Sequence, residues 1–119
     1  SRGILPGIKV DTGAKELANH EGEKITEGLD GLRERCSEYF AMGARFAKWR
    51  AVIKIDAGLP TKACISANAH ALARYSAICQ ELHLGDPLVV LQKTFLSAGH
   101  LTLLILVIGC RLLVKVMTD

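Results

Sequence analysis

The chain has 119 residues, the size of one domain, and a chain of this length buries roughly 65% of its unfolded surface. Hydrophobic residues make up 50% of it, which excludes disorder by composition. Its 15 Lys and Arg against 12 Asp and Glu leave a net charge of +3, with no basic run and few aromatics, so neither a nucleic-acid stripe nor a single-strand stacking platform is expected.

The opening residues, "SRGILPGIKV", have no cationic head followed by an apolar core of signal-peptide length, and the first residue is not Met, so a fragment or processed product is expected. "ILPGIKVD", Ile4 to Asp11, reads as a short strand after a Pro-Gly break. "TGAKELANHEGEKITE" follows, polar with two glycines, and reads as a loop. From Leu29 the period changes: Leu29, Leu32, Cys36 and Tyr39/Phe40 recur at three and four residues, which predicts an amphipathic helix capped at Gly43.

"FAKWRAVIKI", Phe46 to Ile55, has the β-branched and aromatic content of a strand, yet alternation places Lys48, Arg50 and Lys54 on one face with Phe46 and Val52. Ala47, Trp49, Ala51, Ile53 and Ile55 share the other face, where Trp49 is expected to pack under a helix. "DAGLPT" is a turn, with Pro60 near a helix start. "KACISANAHALARYSAICQELHLG" predicts a second helix, apolar through Ala71/Leu72, Tyr75, Ile78/Cys79 and Leu82, ended by Gly85. "DPLVVLQ" reads as a third strand. Strand starts about 40 residues apart, separated by helices, give an α/β class with a parallel sheet and right-handed crossovers.

The remainder changes character. Leu101 to Cys110 is an apolar core flanked by Arg111 and Lys115, too short for the roughly 20 residues of a membrane span. A buried helix or strand pair, and sequence not native to the fold, are the other readings of this tail. Cys36, Cys64, Cys79 and Cys110 form no CxxC and have no His at ligand spacing, so free thiols in a reducing compartment are expected, with no metal and no cofactor. No G-x-G-x-x-G, Walker-type loop, HExxH or GxSxG occurs. His70 reads as an ordinary helix residue.

In a parallel α/β sheet chemistry collects at the carboxyl ends of the strands. Lys48 and Arg50 point the same way, roughly 7 Å apart at strand rise, and Lys9 and Asp11 share a face by the same rule. If both strands face one cavity, Lys9, Lys48 and Arg50 form a cationic cluster suited to phosphate, Arg as a planar fork and Lys as a point charge. A lysine among other cations also favours amine chemistry. The structural alternative is an edge strand with Lys48 and Lys54 in solvent and Arg50 paired with Glu34 or Glu38.

"GIKVD" (7–11), "EGLDGLRERCSEY" (27–39), "FAKWRAVIKI" (46–55) and "ANAHALARYSAICQE" (67–81) resemble class I fructose-bisphosphate aldolase, in order and at similar spacing. The resemblance implies a partial (β/α)8 TIM barrel of about three parallel strands and two crossover helices with an irregular apolar tail, divided into an aldolase-like part over residues 1–81 and a divergent apolar segment over 82–119. It implies reversible cleavage of fructose 1,6-bisphosphate through a lysine Schiff base, without a metal. It implies a cytoplasmic enzyme whose full-length members are tetramers and whose partner is a small sugar phosphate, with neither nucleic acid nor a membrane involved.

By the same resemblance Lys9 binds the substrate's phosphate end and hydroxyls, Lys48 is catalytic beside the Schiff-base centre, and Arg50 contacts a phosphate. The pattern departs after Glu81. Val90 and Gln92 stand where an "IVEPE"-like strand supplies glutamates, and the "LLKPNM"-like motif with the Schiff-base lysine is absent. The expectation is a fragment inactive alone, from a partial gene model, an intron read-through or a frameshift. The alternative is a non-catalytic aldolase-derived product whose apolar tail mediates packing or membrane association.

Overall fold

Alternation builds the central strand. In β4 (Phe46–Ile55), Ala47, Trp49, Ala51 and Ile53 are buried, while Phe46, Lys48, Arg50, Val52 and Lys54 on the other face are half-buried or exposed. The computed structural model describes residues 3–84 in full and the backbone of 88–95. β1 (Gly7–Lys9) and β5 (Leu88–Phe95) flank β4 in parallel, in the order β1-β4-β5. Gly7 to Lys9 pair with Phe46 to Lys48, and Leu88 to Phe95 pair with Lys48 to Ile55. The third strand is therefore longer than "DPLVVLQ" and starts two residues later.

Two helices cover the Trp49 face. α1 (Leu32–Ala41) and α2 (Lys62–Glu81) put Leu32, Cys36, Ala71, Leu72, Tyr75 and Cys79 into one core with Val10, Ala47, Trp49, Ala51 and Leu84. Trp49 stacks on Tyr75 with ring centroids 5.1 Å apart, worth about 0.5–1.5 kcal/mol beyond the buried area. α1 starts three residues after Leu29, because Gly28 and Gly31 hold positive φ (132° and 64°) and break the helical run. Its end follows expectation: Gly43 takes φ 110°, and the Ala44 N–H donates to Tyr39 O at 2.9 Å. α2 is capped by Thr61, whose Oγ1 accepts from Cys64 N at 3.2 Å. It ends at Glu81, ahead of the expected Gly85, with His83 in the left-handed region.

The segment expected to be a loop is not one. β2 (Gly13–Glu16) and β3 (Lys24–Glu27) form an antiparallel hairpin, clamped at the base of its connecting loop by the Lys24–Glu16 ion pair. "GAKE" and "KITE" carry too little apolar alternation to signal strands, and tertiary bonds decide the outcome. Asn68 Nδ2 donates to Lys24 O at 3.0 Å, and Thr26 Oγ1 donates to Arg50 O at 2.7 Å. Apart from the backbone of β5, the expected irregular tail lies outside the described residues beyond Leu84, as does the apolar core Leu101 to Cys110.

Candidate functional site

Lys9 and Lys48 are register partners on parallel strands, so their side chains leave the sheet on one side, and Arg50 follows two residues on. Trp49 lies on the opposite side, buried beneath α2. The three expected site residues are thus brought to one face. Arg50 is exposed and Lys48 half-buried, and among the described residues neither has a carboxylate within ion-pair distance. The expected alternative pairing of Arg50 with Glu34 or Glu38 is therefore not made.

Lys9 is held differently. Its Nζ donates to Asp11 Oδ1 at 2.7 Å and to Asp11 O at 2.8 Å. The Asp11 carboxylate is buried and accepts two backbone N–H groups as well, from Gly13 (3.1 Å) and Arg50 (3.2 Å). Sequence reasoning put Lys9 and Asp11 on one face but left Asp11 out of the candidate set. The Lys-x-Asp spacing on a strand was the available signal.

Arg35 buttresses the same corner from α1, donating to Val10 O at 2.9 Å and to Gly28 O. Its place among polar helix residues gave no hint of this. Gly28 is required there: a Cβ would lie 2.9 Å from Thr12 N and 3.0 Å from Asp11 Cα.

A second polar cluster ties the hairpin to α2. Glu23 is buried, Oε1 accepting from Thr61 N (2.8 Å) and Oε2 from Thr61 Oγ1 (2.7 Å). Burial pushes the Glu23 carboxyl up, but the two Thr61 bonds, with help from Cys64 and His20, outweigh it and hold it below the ordinary value. Burial raises the Cys64 thiol, and the neighbouring Glu23 charge adds to this. Burial likewise raises Cys36, Tyr75 and Cys79, so none of these is a ready nucleophile.

A cleft of about 600 Å³ opens between β3, the 28–30 turn and α2, lined by Ile25, Glu27, Asp30, His70 and Arg74 among others. It contains none of Lys9, Lys48 and Arg50. No group of three metal-ligating side chains occurs among the described residues, and no described helix is long and apolar enough to cross a membrane.

The family model described as fructose-bisphosphate aldolase class-I matches residues 1–103. The chain is similar to a probable fructose-bisphosphate aldolase class 1 of Xanthomonas campestris, 67% identical over 79 residues, covering 66% of this chain and 24% of the relative. It is similar to the cytosolic fructose-bisphosphate aldolase 6 of Arabidopsis thaliana, 59% identical over 81 residues, covering 68% and 23%. Among solved structures it is similar to the fructose-bisphosphate aldolase of Plasmodium falciparum, determined in complex with TRAP and a small-molecule inhibitor. That match has a TM-score of 0.66 at 49% identity and covers 73% of this chain and 26% of the other. The chain spans about a quarter of the length of the curated relatives it matches.

Proposed function

Because the chain belongs to the class I fructose-bisphosphate aldolase family, we propose that it is the sugar-phosphate-binding segment of a glycolytic lyase that reversibly cleaves fructose 1,6-bisphosphate to dihydroxyacetone phosphate and glyceraldehyde 3-phosphate. The observation that carries this reading is the register of Lys9 against Lys48, with Arg50 two residues on, on the face left uncovered by the helices. Cations on one face of parallel strands bind a dianionic phosphate by charge and by directed N–H donors.

Lys9 takes the phosphate end and the hydroxyls of the sugar. Lys48 is catalytic beside the Schiff-base centre and assists the carbinolamine and carbon–carbon bond steps through its ammonium protons. Arg50 forks onto a phosphate. The three parallel strands are consecutive staves of a partial (β/α)8 barrel, with residues 1–81 as its aldolase-like part and 82–119 as a divergent apolar segment. The whole enzyme is a cytoplasmic homo-tetramer that uses no metal.

The chain alone is inactive. The lysine that carries the Schiff base belongs to an "LLKPNM"-like motif absent from this sequence, and Val90 and Gln92 replace the glutamates. Val90 is the register partner of Arg50, and Gln92 that of Val52.

Two measurements test the reading. Fructose 1,6-bisphosphate, titrated into the labelled chain, should move the Lys9, Lys48 and Arg50 resonances and leave the Trp49 indole unmoved; shifts confined to the Trp49 side refute the site. Borohydride trapping with dihydroxyacetone phosphate should yield no adduct by mass spectrometry. A stoichiometric adduct on Lys48 or Lys9 refutes the expected inactivity.

A further inference from the structure

The β1 ladder stops at Lys9, opposite Lys48 and two residues short of Arg50. Val10 N still donates to Lys48 O at 3.1 Å. Arg50, the next β4 residue facing that edge, turns its N–H and C=O toward ground that β1 no longer occupies. Two side chains satisfy them: Asp11 Oδ2 accepts from the Arg50 N–H at 3.2 Å, and Thr26 Oγ1 donates to the Arg50 carbonyl at 2.7 Å. The same Asp11 carboxylate takes Lys9 Nζ at 2.7 Å and Gly13 N at 3.1 Å, with its side chain 1% exposed against 48% for Lys9. A buried carboxylate is tolerated only when its oxygens are filled by fixed donors, and here three donors from three parts of the chain fill them.

We propose that Asp11 is the positioning residue of the cationic face: it holds the Lys9 ammonium at its own carboxylate and carbonyl and, through the Arg50 amide, fixes the stretch of β4 that carries Lys48 and Arg50. The proposal rests on the sugar-phosphate reading above. A lysine ammonium on a flexible four-carbon stem has no preferred direction of its own, whereas one donating to both Oδ1 and O of Asp11 has one. Asp11 also removes one unit of positive charge from a face that must attract a dianion. Its two effects therefore oppose each other, and removing it separates them. If Asp11 acted only as a charge, Asp11→Asn would tighten anion binding. If it positions, Asp11→Asn weakens binding even though the net charge rises by one.

The test compares the wild-type chain with Asp11→Asn, using fructose 1,6-bisphosphate as the probe and the Lys9 ammonium 1H–15N signal as a second readout. The half-exposed Lys9–Asp11 pair sets the expected loss of affinity at about 2- to 5-fold. In the wild type the Lys9 ammonium signal should persist at low temperature and mildly acidic pH, because two acceptors hold its protons, and in Asp11→Asn, where a neutral amide oxygen and the main-chain carbonyl replace the carboxylate pair, it should exchange faster and broaden. A merely structural role would leave that signal unchanged in a folded variant. Equal or tighter binding by Asp11→Asn overturns the proposal, as does an unchanged Lys9 signal. A wild-type chain that binds no bisphosphate refutes the sugar-phosphate reading instead, and the Lys9 signal then decides Asp11 alone. Should Asp11→Asn fail to fold, the wild-type spectrum decides: a persistent Lys9 ammonium signal supports the proposal, and its absence overturns it.

Discussion

Gly28→Ala is the sharpest probe of how the corner beneath Lys9 and Asp11 is built. Gly28 has φ 132°, and an added Cβ would sit 2.9 Å from Thr12 N, 3.0 Å from Asp11 Cα and 3.2 Å from Val10 O, all backbone atoms that cannot rotate away. The dihedral costs alanine about 1–3 kcal/mol. The overlap adds about 1–3 kcal/mol, the usual scale for overpacking. Loss of glycine's freedom in the unfolded chain returns only about 0.4–1 kcal/mol. The net destabilisation is about 1–5.5 kcal/mol, centred near 3, a large share of the 5–15 kcal/mol typical of a domain.

Gly31→Ala is the control. It has φ 64° and nothing within 4 Å of a Cβ, so only the left-handed cost of roughly 1–2 kcal/mol applies, less the same unfolded-state return. Urea unfolding, followed by the fluorescence of Trp49, the single tryptophan, measures both. With a slope of about 1–3 kcal/mol/M, the Gly28→Ala midpoint should fall roughly 1 M below that of Gly31→Ala. Coincident midpoints would refute the steric reasoning and mean that the 10–12 segment moves freely away from Gly28.

Glu23 should make stability fall in acid. Its carboxyl is held below the ordinary value in the folded chain, so its contribution is complete above the unfolded value of about 4.3 and is lost as the pH drops through the folded value. Urea midpoints between pH 6 and 3 should therefore fall more steeply for the wild type than for Glu23→Gln, and parallel curves would refute the linkage. Cys36, Cys64 and Cys79 are buried with raised thiols, so at pH 8 a thiol reagent should modify them only at the unfolding rate; fast native-state labelling of any of the three contradicts the packing. In a full-length aldolase carrying "FAKWR" from this chain, activity should survive. Lys48→Ala there should lower kcat more than it raises KM. Arg50→Ala should raise KM by about 10- to 150-fold, as loss of a charged hydrogen bond costing about 1.5–3 kcal/mol, and steady-state kinetics separate the two.

The strands and helices that form the sheet and core were legible because their apolar periodicity carries the packing. β4 reads off its alternation residue by residue, and the apolar side of α2 from Ala71 to Cys79 is the side that is buried. The hairpin was not legible, because its strands are stabilised by partners distant in sequence. Thr26 finds Arg50, Glu23 finds Thr61, and Lys24 O finds Asn68, at separations of 24 to 44 residues that no local pattern encodes. The same limit applied to the site. The shared face of Lys48 and Arg50 follows from the two-residue period, whereas the addition of Lys9 depends on the register of β1 and the role of Asp11 on where β1 stops, and only the fold decides either.

The offset of the flanking strands has a consequence for tolerance to change. β1 meets the first three residues of β4 and β5 meets the last eight, so Lys48 is the single β4 residue, among those described, paired on both sides, with Lys9 and with Leu88. An insertion or deletion of one residue ahead of Lys48 would have to break two ladders to be absorbed. If the ladders held, it would swing Ala47 or Trp49 into the place of Lys48 and drive a charged amine under the helices. Length changes should therefore be accepted at the tip of the hairpin, around Asn19, and rejected between Gly43 and Lys48.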